Sequence, residues 1–297
     1  MNGHLMRRAA FASISVAVFL VLLKFFAYLA TDSISLLASL ADSALDVIAS
    51  GINLLAIHSA LTPADREHRF GHGKAEPLAG LAQFAFIGGS AVFLVIEASK
   101  RFVMPQPVEH GGAGIAVMVV SIALTAALVA YQRYVTKKTN SLAVHADSAH
   151  YAGDLLTNLG VILGIVLAAY FNLPLADPVI GLAVAGVLAW SAWNVFRGSF
   201  DQLMDRELPD DSRDRIKAIV RNHPEIVSLH DLRTRMAGAH IFMQLHIELD
   251  PRMSLTRAHE VSDEVERQLC DAFPGAQVII HQDPAGAENT IPALSQS

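Results

Sequence analysis

The chain has 297 residues, of which 53% are hydrophobic and 17% are charged, and its mean hydropathy is +0.39. A composition this apolar excludes an ordinary soluble protein and indicates a membrane protein. The formal net charge of -6 gives no indication of a nucleic-acid partner, and we expect none.

Six apolar segments in residues 1–207 approach or exceed the roughly 20 helical residues that cross a bilayer. Four are free of charge: 77–96, 111–132, 155–175 and 178–196. Two earlier segments are interrupted by charged residues: 8–31 contains Lys24, and 34–60 contains Asp42 and Asp46. The sequence therefore predicts an all-α transmembrane domain of six helices.

The first segment also has features of a signal peptide, since Arg7 and Arg8 precede it and residues 27–30 resemble a cleavage site. Lys24 interrupts its apolar run, and cleavage would leave five spans. We therefore favour a helix that is retained.

The basic residues of the short loops predict the orientation of the spans, because cytoplasmic loops carry an excess of Lys and Arg. Six spans place both termini on one side of the membrane. Lys100 and Arg101 lie on the opposite side, whereas nine basic residues lie on the side of the termini: Arg7, Arg8, Arg66, Arg69, Lys74, Arg133, Lys137, Lys138 and Arg197. Both termini are therefore expected in the cytoplasm.

Two spans carry ionisable residues at a matching spacing. Asp42 and Asp46 lie four residues apart in the second span, as do His150 and Asp154 in the fifth, so each pair shares one helix face. A charged side chain near the bilayer centre costs at least about 2.5 kcal/mol on insertion scales. A bound dication would compensate both pairs. Hydrogen bonds across helices, or an aqueous cleft, are the alternative, which explains a single such residue better than two matched pairs.

Three carboxylates and one imidazole are the ligands of a tetrahedral zinc site. Ferrous iron and cadmium suit the same set, whereas manganese and magnesium prefer oxygen ligands alone. Metal binding requires a neutral imidazole and ionised carboxylates, so protons compete with the metal for the same atoms. The pattern therefore predicts a secondary active transporter that exchanges a divalent metal for protons.

Three nearby polar residues are placed outside this site. Asn158 lies one turn beyond Asp154, where a neutral amide is commonly a packing contact. His145 and Asp147 are predicted to be solvated positions at the start of the fifth span.

The loop between the second and third spans contains Asp65, His68 and His72. Spacings of three and four would align them on a helix, but Gly71 and Gly73 favour a loop. From the residues alone, a solvated polar loop in which the histidines are incidental is the favoured explanation.

From Leu208 onward charges become frequent, and no remaining segment is apolar enough to span lipid. Residues 208–285 read helix, strand, strand, helix, strand, the order of a small α+β domain, and 286–297 are expected to be disordered. Residues 240–250 alternate between apolar and polar, which predicts a one-sided strand. Ala258, Val261, Val265 and Leu269 form an apolar helical stripe that would pack on it. A ferredoxin-like layer without its first strand fits this order.

The single cysteine, Cys270, excludes an intrachain disulfide and fits a reducing cytoplasm. His281 and Asp283 share a strand face because they lie two residues apart. Spacing does not join them to His230, His246 or His259. His223 and His240 are predicted to be surface residues.

Five segments resemble the cation diffusion facilitator family, in particular its bacterial zinc and ferrous-iron efflux branch: SLADSALD, PADREHRFGHGKAE, HYAGD, HDLRTR and IIHQDP. The resemblance covers nearly the whole chain. It implies a homodimer in the bacterial cell membrane, with a tail that stabilises or regulates the assembly. The transport site that it implies consists of Asp42, Asp46, His150 and Asp154.

The resemblance also implies two further metal sites. One is a loop site formed by Asp65, His68 and His72. The other is a binuclear site of the tail, in which one ion is held by His230, His246 and Asp283 and the second by His259, His281 and Asp283. The loop around residues 137–141 has no histidine-rich insertion, which differs from many eukaryotic vesicular zinc transporters and favours a bacterial protein.

Three other functions compete with this interpretation. A membrane metalloenzyme is disfavoured because the chain contains no HExxH and four protein ligands leave no open position for water. A metal sensor anchored by its spans would leave the intramembrane pairs unexplained. A channel or importer with the same ligands stays open, since direction depends on which face binds metal more tightly.

Overall fold

The computed structural model describes residues 3–31, 34–103, 112–171, 173 and 175–286. Of residues 286–297, which are predicted to be disordered, Gly286 is described and 287–297 lie outside the described part of the chain. The chain divides into two compact units, Met1–Phe200 and Asp201–Ser297.

The first unit is built from six long helices: α1 (Gly3–Thr31), α2 (Ile34–Ala60), α3 (Ala75–Val103), α4 (Gly112–Thr139), α5 (Leu142–Phe171) and α6 (Ala176–Leu203). The shortest has 27 residues and the longest 30, which at about 1.5 Å per residue exceeds the roughly 30 Å hydrocarbon core. Among the described residues, all but α5 contain a stretch long and apolar enough to cross a membrane. The predicted six-helix membrane domain is confirmed.

Large apolar side chains cover the outside of this bundle. Phe26 is 63% exposed, Phe93 67% and Trp190 69%. In a soluble protein so much exposed apolar surface would promote association, whereas in a bilayer it contacts lipid.

Small residues bring the helices close together around α5. A Cβ atom at Gly153 would lie only 2.6 Å from Leu188 Cδ2, and Leu188 is itself buried. Gly153 lies between His150 and Asp154, so its missing side chain lets α6 pack against α5 at the level of these two residues.

The start of α5 is anchored by Glu76 from the first turn of α3. Glu76 is 1% exposed, and its Oε2 accepts hydrogen bonds from Ser141 Oγ at 2.5 Å and from the Ala143 N–H at 3.3 Å. A carboxylate is favourable at a helix N-terminus because it complements the positive end of the helix dipole. The contact fixes the starts of α3 and α5 against each other.

The second unit consists of α7 (Asp210–Arg221), β1 (Ser228–Ala237), β2 (His240–Leu249), α8 (Leu255–Ala272) and β3 (Ala276–Pro284). β2 is central, antiparallel to β1 and parallel to β3, and α8 is the crossover that a parallel pair requires. Alternate residues of β2, Met243, Leu245 and Ile247, are at most 1% exposed and pack with the apolar stripe of α8. The predicted element order and the one-sided strand are confirmed.

The prediction that His223 is a surface residue is wrong. His223 is 7% exposed, its Nε2 lies 3.2 Å from Glu264 Oε2, and its Nδ1 accepts from the Glu225 N–H at 3.3 Å. The chain turns directly after α7, which places the ring against α8. The spacing of residues along the sequence carries no information about this contact between His223 and α8.

Candidate metal centres

Asp46 of α2 meets His150 and Asp154 of α5 inside the helix bundle. His150 Nε2 lies 3.2 Å from Asp46 Oδ1 and 3.8 Å from Asp154 Oδ2. One potential ligand atom from each residue lies within 4.8 Å of the other two. The ligand atoms of a zinc tetrahedron lie about 3.4 Å apart, given bonds of about 2.1 Å. The separations in the bundle therefore suit a small dication.

Asp42, the fourth residue predicted for this site, is not among the three that converge. It lies one turn before Asp46 on α2 and is exposed. Its carboxylate is still close enough to interact electrostatically with Asp46, Lys24 and His150. The structure thus brings three of the four residues together and leaves the fourth beside them.

A chain of hydroxyl groups supports the imidazole of His150. Ser13 Oγ lies 2.9 Å from Ser50 Oγ, which in turn lies 2.7 Å from the Tyr151 hydroxyl. The Tyr151 ring contacts the His150 ring edge to face, with 5.5 Å between centroids. Because α1, α2 and α5 all contribute, three helices hold the Tyr151 ring in place, and this ring contacts the imidazole of His150.

The prediction that Asp147 is solvated is wrong. Asp147 is 1% exposed and accepts hydrogen bonds from Gln83 Nε2 of α3 at 3.3 Å and from Gln132 Nε2 of α4 at 2.6 Å. α5 begins at Leu142, and Ala143, Val144 and Ala146 are buried, so the face that carries Asp147 lies inside the bundle. Single glutamines within two otherwise apolar spans were the available signal. His145, by contrast, is exposed as predicted.

The loop between α2 and α3 brings Asp65, His68 and His72 together. Asp65 Oδ1 lies 3.4 Å from His68 Nδ1, and Asp65 Oδ2 lies 3.4 Å from His72 Nε2. The three residues form a group of potential ligands within 4.8 Å of one another.

The backbone of this loop fixes the Asp65 carboxylate. Oδ1 accepts from the N–H groups of His68 at 2.6 Å and Glu67 at 2.9 Å. These hydrogen bonds, chiefly that from His68, hold the pKa of Asp65 below its ordinary value. The carboxylate is therefore ionised and oriented before any ion binds.

A row of histidines crosses the sheet of the second unit. His230 of β1 pairs in register with His246 of β2, which pairs with His281 of β3. Asp283 lies two residues further along β3, on the same face. His246 Nδ1 lies 2.9 Å and His230 Nε2 3.3 Å from Asp283 Oδ2, and His281 Nε2 lies 3.3 Å from Asp283 Oδ1.

This row contains one of the ligand groups, His230, His246 and Asp283. Two imidazoles and a carboxylate are a common ligand set for zinc, so the residues present suit a divalent metal. The strand register, which sequence spacing does not provide, is what joins them.

His259 does not join the row in the described residues. Its side chain is 71% exposed, and its Nε2 lies 3.6 Å from Asp263 Oδ2 on the same helix. α8 packs on the apolar face of the sheet, whereas the histidine row lies on the other face. The structure therefore brings together four of the five predicted tail residues.

Comparisons with known proteins cover both units. Residues 10–204 match the family described as cation efflux transmembrane domain, and residues 208–285 match cation efflux protein, cytoplasmic domain. The chain is 46% identical over 282 residues to the cation-efflux pump FieF of Shewanella oneidensis, covering 95% of each protein. It is 42% identical over 294 residues to the FieF pump of Klebsiella pneumoniae, covering 99% of this chain and 97% of that protein.

Among solved structures, the metal-bound C-terminal domain of the CzcD transporter from Thermotoga maritima is 29% identical. The match covers 26% of this chain and 92% of that chain, with a TM-score of 0.26.

Proposed function

The chain belongs to the cation efflux family, and from that premise we propose that it exports divalent transition metals, zinc first, in exchange for protons. Its relatives are cation-efflux pumps, so the chain is a transporter and not an enzyme. The observation that supports a divalent transition metal is the convergence of Asp46, His150 and Asp154 in the bundle. An imidazole among carboxylates suits zinc, ferrous iron and cadmium.

Exchange for protons follows from the chemistry of these ligands. The metal needs a neutral His150 and ionised carboxylates, so each proton that binds there weakens metal binding. Inward proton movement gains about 2.3 kcal/mol per charge for each 100 mV of membrane potential. If the site opens alternately to the two sides, protons that enter from outside displace the metal there.

The proposal extends to the assembly and its orientation. We place the protein in a bacterial inner membrane as a homodimer with both termini in the cytoplasm, as the basic loop residues indicate. In the tail, His230, His246 and Asp283 would hold a divalent metal, and that ion would link three strands and stabilise or regulate the dimer. Asp65, His68 and His72 would take up an ion from the cytoplasmic side.

Proteoliposomes with an imposed pH gradient test this function. Zinc flux is followed with an entrapped zinc dye, and proton flux with a pH dye. The wild type is expected to move zinc against protons, and both His150→Ala and Asp154→Asn are expected to abolish the flux. His145→Ala is the matched control, because it removes an exposed histidine from the same helix, and it should transport normally.

Two outcomes would overturn the proposal. Zinc flux without opposing proton movement would indicate a channel, and the absence of exchange at gradients of either sign would exclude antiport. Activity retained in His150→Ala would move the site elsewhere.

A further inference from the structure

Lys24 is a buried cation beside a site that suits another cation. It lies in α1 and is 9% exposed. Its Nζ donates hydrogen bonds to the Ser39 carbonyl oxygen at 3.2 Å and to Ser43 Oγ at 2.5 Å. A buried lysine within a transmembrane helix is unfavourable, so its presence here calls for a compensating interaction.

The hydrogen-bond partners of Lys24 place its charge near the acidic residues. Four residues of α2 recur at positions i, i+3, i+4 and i+7 and therefore form one stripe of the helix: Ser39, Asp42, Ser43 and Asp46. The ammonium interacts electrostatically with Asp46, Asp42 and Asp154. It is thus held on the acidic face of α2 by a serine hydroxyl and a carbonyl group.

The charges of this region balance around a divalent ion. Three ionised carboxylates, Asp42, Asp46 and Asp154, carry three negative charges, and Lys24 reduces the total to two. A bound dication with neutral His150 then leaves these groups without net charge. Asp147, which also interacts electrostatically with His150, is outside this count because the amides of Gln83 and Gln132 hydrogen-bond its carboxylate. Without Lys24, the same dication would leave one uncompensated negative charge beside the buried Asp46 and His150, which is unfavourable.

We propose that Lys24 is a tethered counter-cation that matches the charge of the transport site to a divalent ion and, by repelling the bound metal, keeps its affinity low enough for release. Ser39 and Ser43 hold the ammonium aside, so that it does not take the place of the metal. The inference rests on the proposed function, because it assigns a role within that transport site.

The test measures KM and Vmax for zinc in proteoliposomes. Lys24→Met keeps the apolar stem and removes the charge, so KM should fall on the order of ten-fold because repulsion is lost. Vmax should fall as well, because release slows. Lys24→Arg keeps the charge and should keep KM near that of the wild type. Lys100→Met removes a lysine that is 70% exposed and should change neither quantity.

An unchanged or raised KM in Lys24→Met would overturn the inference, since a purely structural role weakens binding. An equal fall of KM in Lys24→Arg would overturn the inference too, because the loss of charge would then not be the cause of the lower KM. If Lys24→Met does not fold, Ser43→Ala replaces it. That variant keeps the charge but frees the ammonium to approach the carboxylates, so KM should rise, and an unchanged KM counts against the inference. Failure of the wild type to exchange zinc for protons would refute the proposed function instead.

Discussion

Asp147 and His150 lie about one turn apart on α5 in different surroundings. Both oxygens of Asp147 accept hydrogen bonds from amide groups, those of Gln83 and Gln132. His150 instead faces the carboxylates of Asp46 and Asp154. Neutral amide donors that come from two other helices tie Asp147 to the bundle, whereas carboxylates around an imidazole can exchange protons for a metal. The surrounding side chains therefore distinguish Asp147, which supports the bundle, from His150, which is a candidate metal ligand.

We expect Asp147→Ala to destabilise the membrane unit. The substitution leaves the buried Gln132 Nε2 without its acceptor, at a cost of about 1–3 kcal/mol. It also takes from Gln83 Nε2 one of two acceptors, the other being the Ala49 carbonyl oxygen at 3.3 Å. The loss is measured as a lower thermal unfolding midpoint of the protein in detergent.

Glu97→Ala is the control for this measurement. It removes a carboxylate of the same bundle that is 36% exposed and paired with Arg101, and exposed pairs contribute at most about 1 kcal/mol. Equal midpoints for Asp147→Ala and the wild type would show that the amide contacts do not support the bundle.

Arg257 ties elements of the second unit together. From the first turn of α8, its guanidinium contacts Glu225, in the connection between α7 and β1, and Glu264 of its own helix. The hydrogen bond from Arg257 holds the pKa of Glu225 below its ordinary value, and the same contact, with that of Glu260, raises the pKa of Arg257. Such charge-assisted hydrogen bonds fix the connection after α7 against α8.

Glu225→Gln is expected to loosen this connection in a pH-dependent way. Because the pKa of Glu225 is lower in the folded protein, its ionised form stabilises the fold. That stabilisation is complete above the ordinary glutamate pKa of about 4.3 and is lost as the pH falls through the lowered value. Hydrogen exchange of the α8 amides, corrected for intrinsic rates, should therefore be faster in the variant near neutral pH and equal to the wild type in acid.

Glu266→Gln, at an exposed position of the same helix, should exchange like the wild type throughout. A difference for Glu225→Gln that persists at acid pH would show that the side chain acts through something other than its charge.

The whole molecule carries its candidate metal centres in two units of different construction. In the membrane unit, Asp46, His150 and Asp154 lie among apolar helices, where a charge is costly without a partner. In the second unit, the histidine row lies across a sheet face, with His230 and His246 partly buried, His281 exposed and a carboxylate from the last strand beside them. Under the proposed function, the first centre would hold the transported ion and the second an ion that links strands.

We expect zinc to stabilise the sheet through Asp283, independently of transport. A ligand present at 100 times its Kd stabilises the folded state by about 2.7 kcal/mol, so zinc should slow hydrogen exchange of the β1 and β3 amides. Asp283→Asn should lose this protection while transport of zinc continues.

His240→Ala, which removes a histidine of β2 outside the row, should keep the zinc-dependent protection. Protection that survives Asp283→Asn would place the ion elsewhere, and loss of transport in that variant would show that the two centres act as one.

Much of this protein follows from local sequence. Apolar runs of bilayer length predict the six helices, and the alternation of apolar and polar residues predicts β2. The four-residue spacings place Asp42 with Asp46 on one helix face and His150 with Asp154 on another. These are properties of a segment and its own period, so a single sequence contains them.

Tertiary structure decided which side chains meet. It buried Asp147 and His223, held Lys24 on the acidic face of α2, aligned His230, His246 and His281 across three strands, and left His259 on the far side of the sheet. Burial and partnership depend on atoms supplied by other helices and strands, and no spacing within one element specifies them.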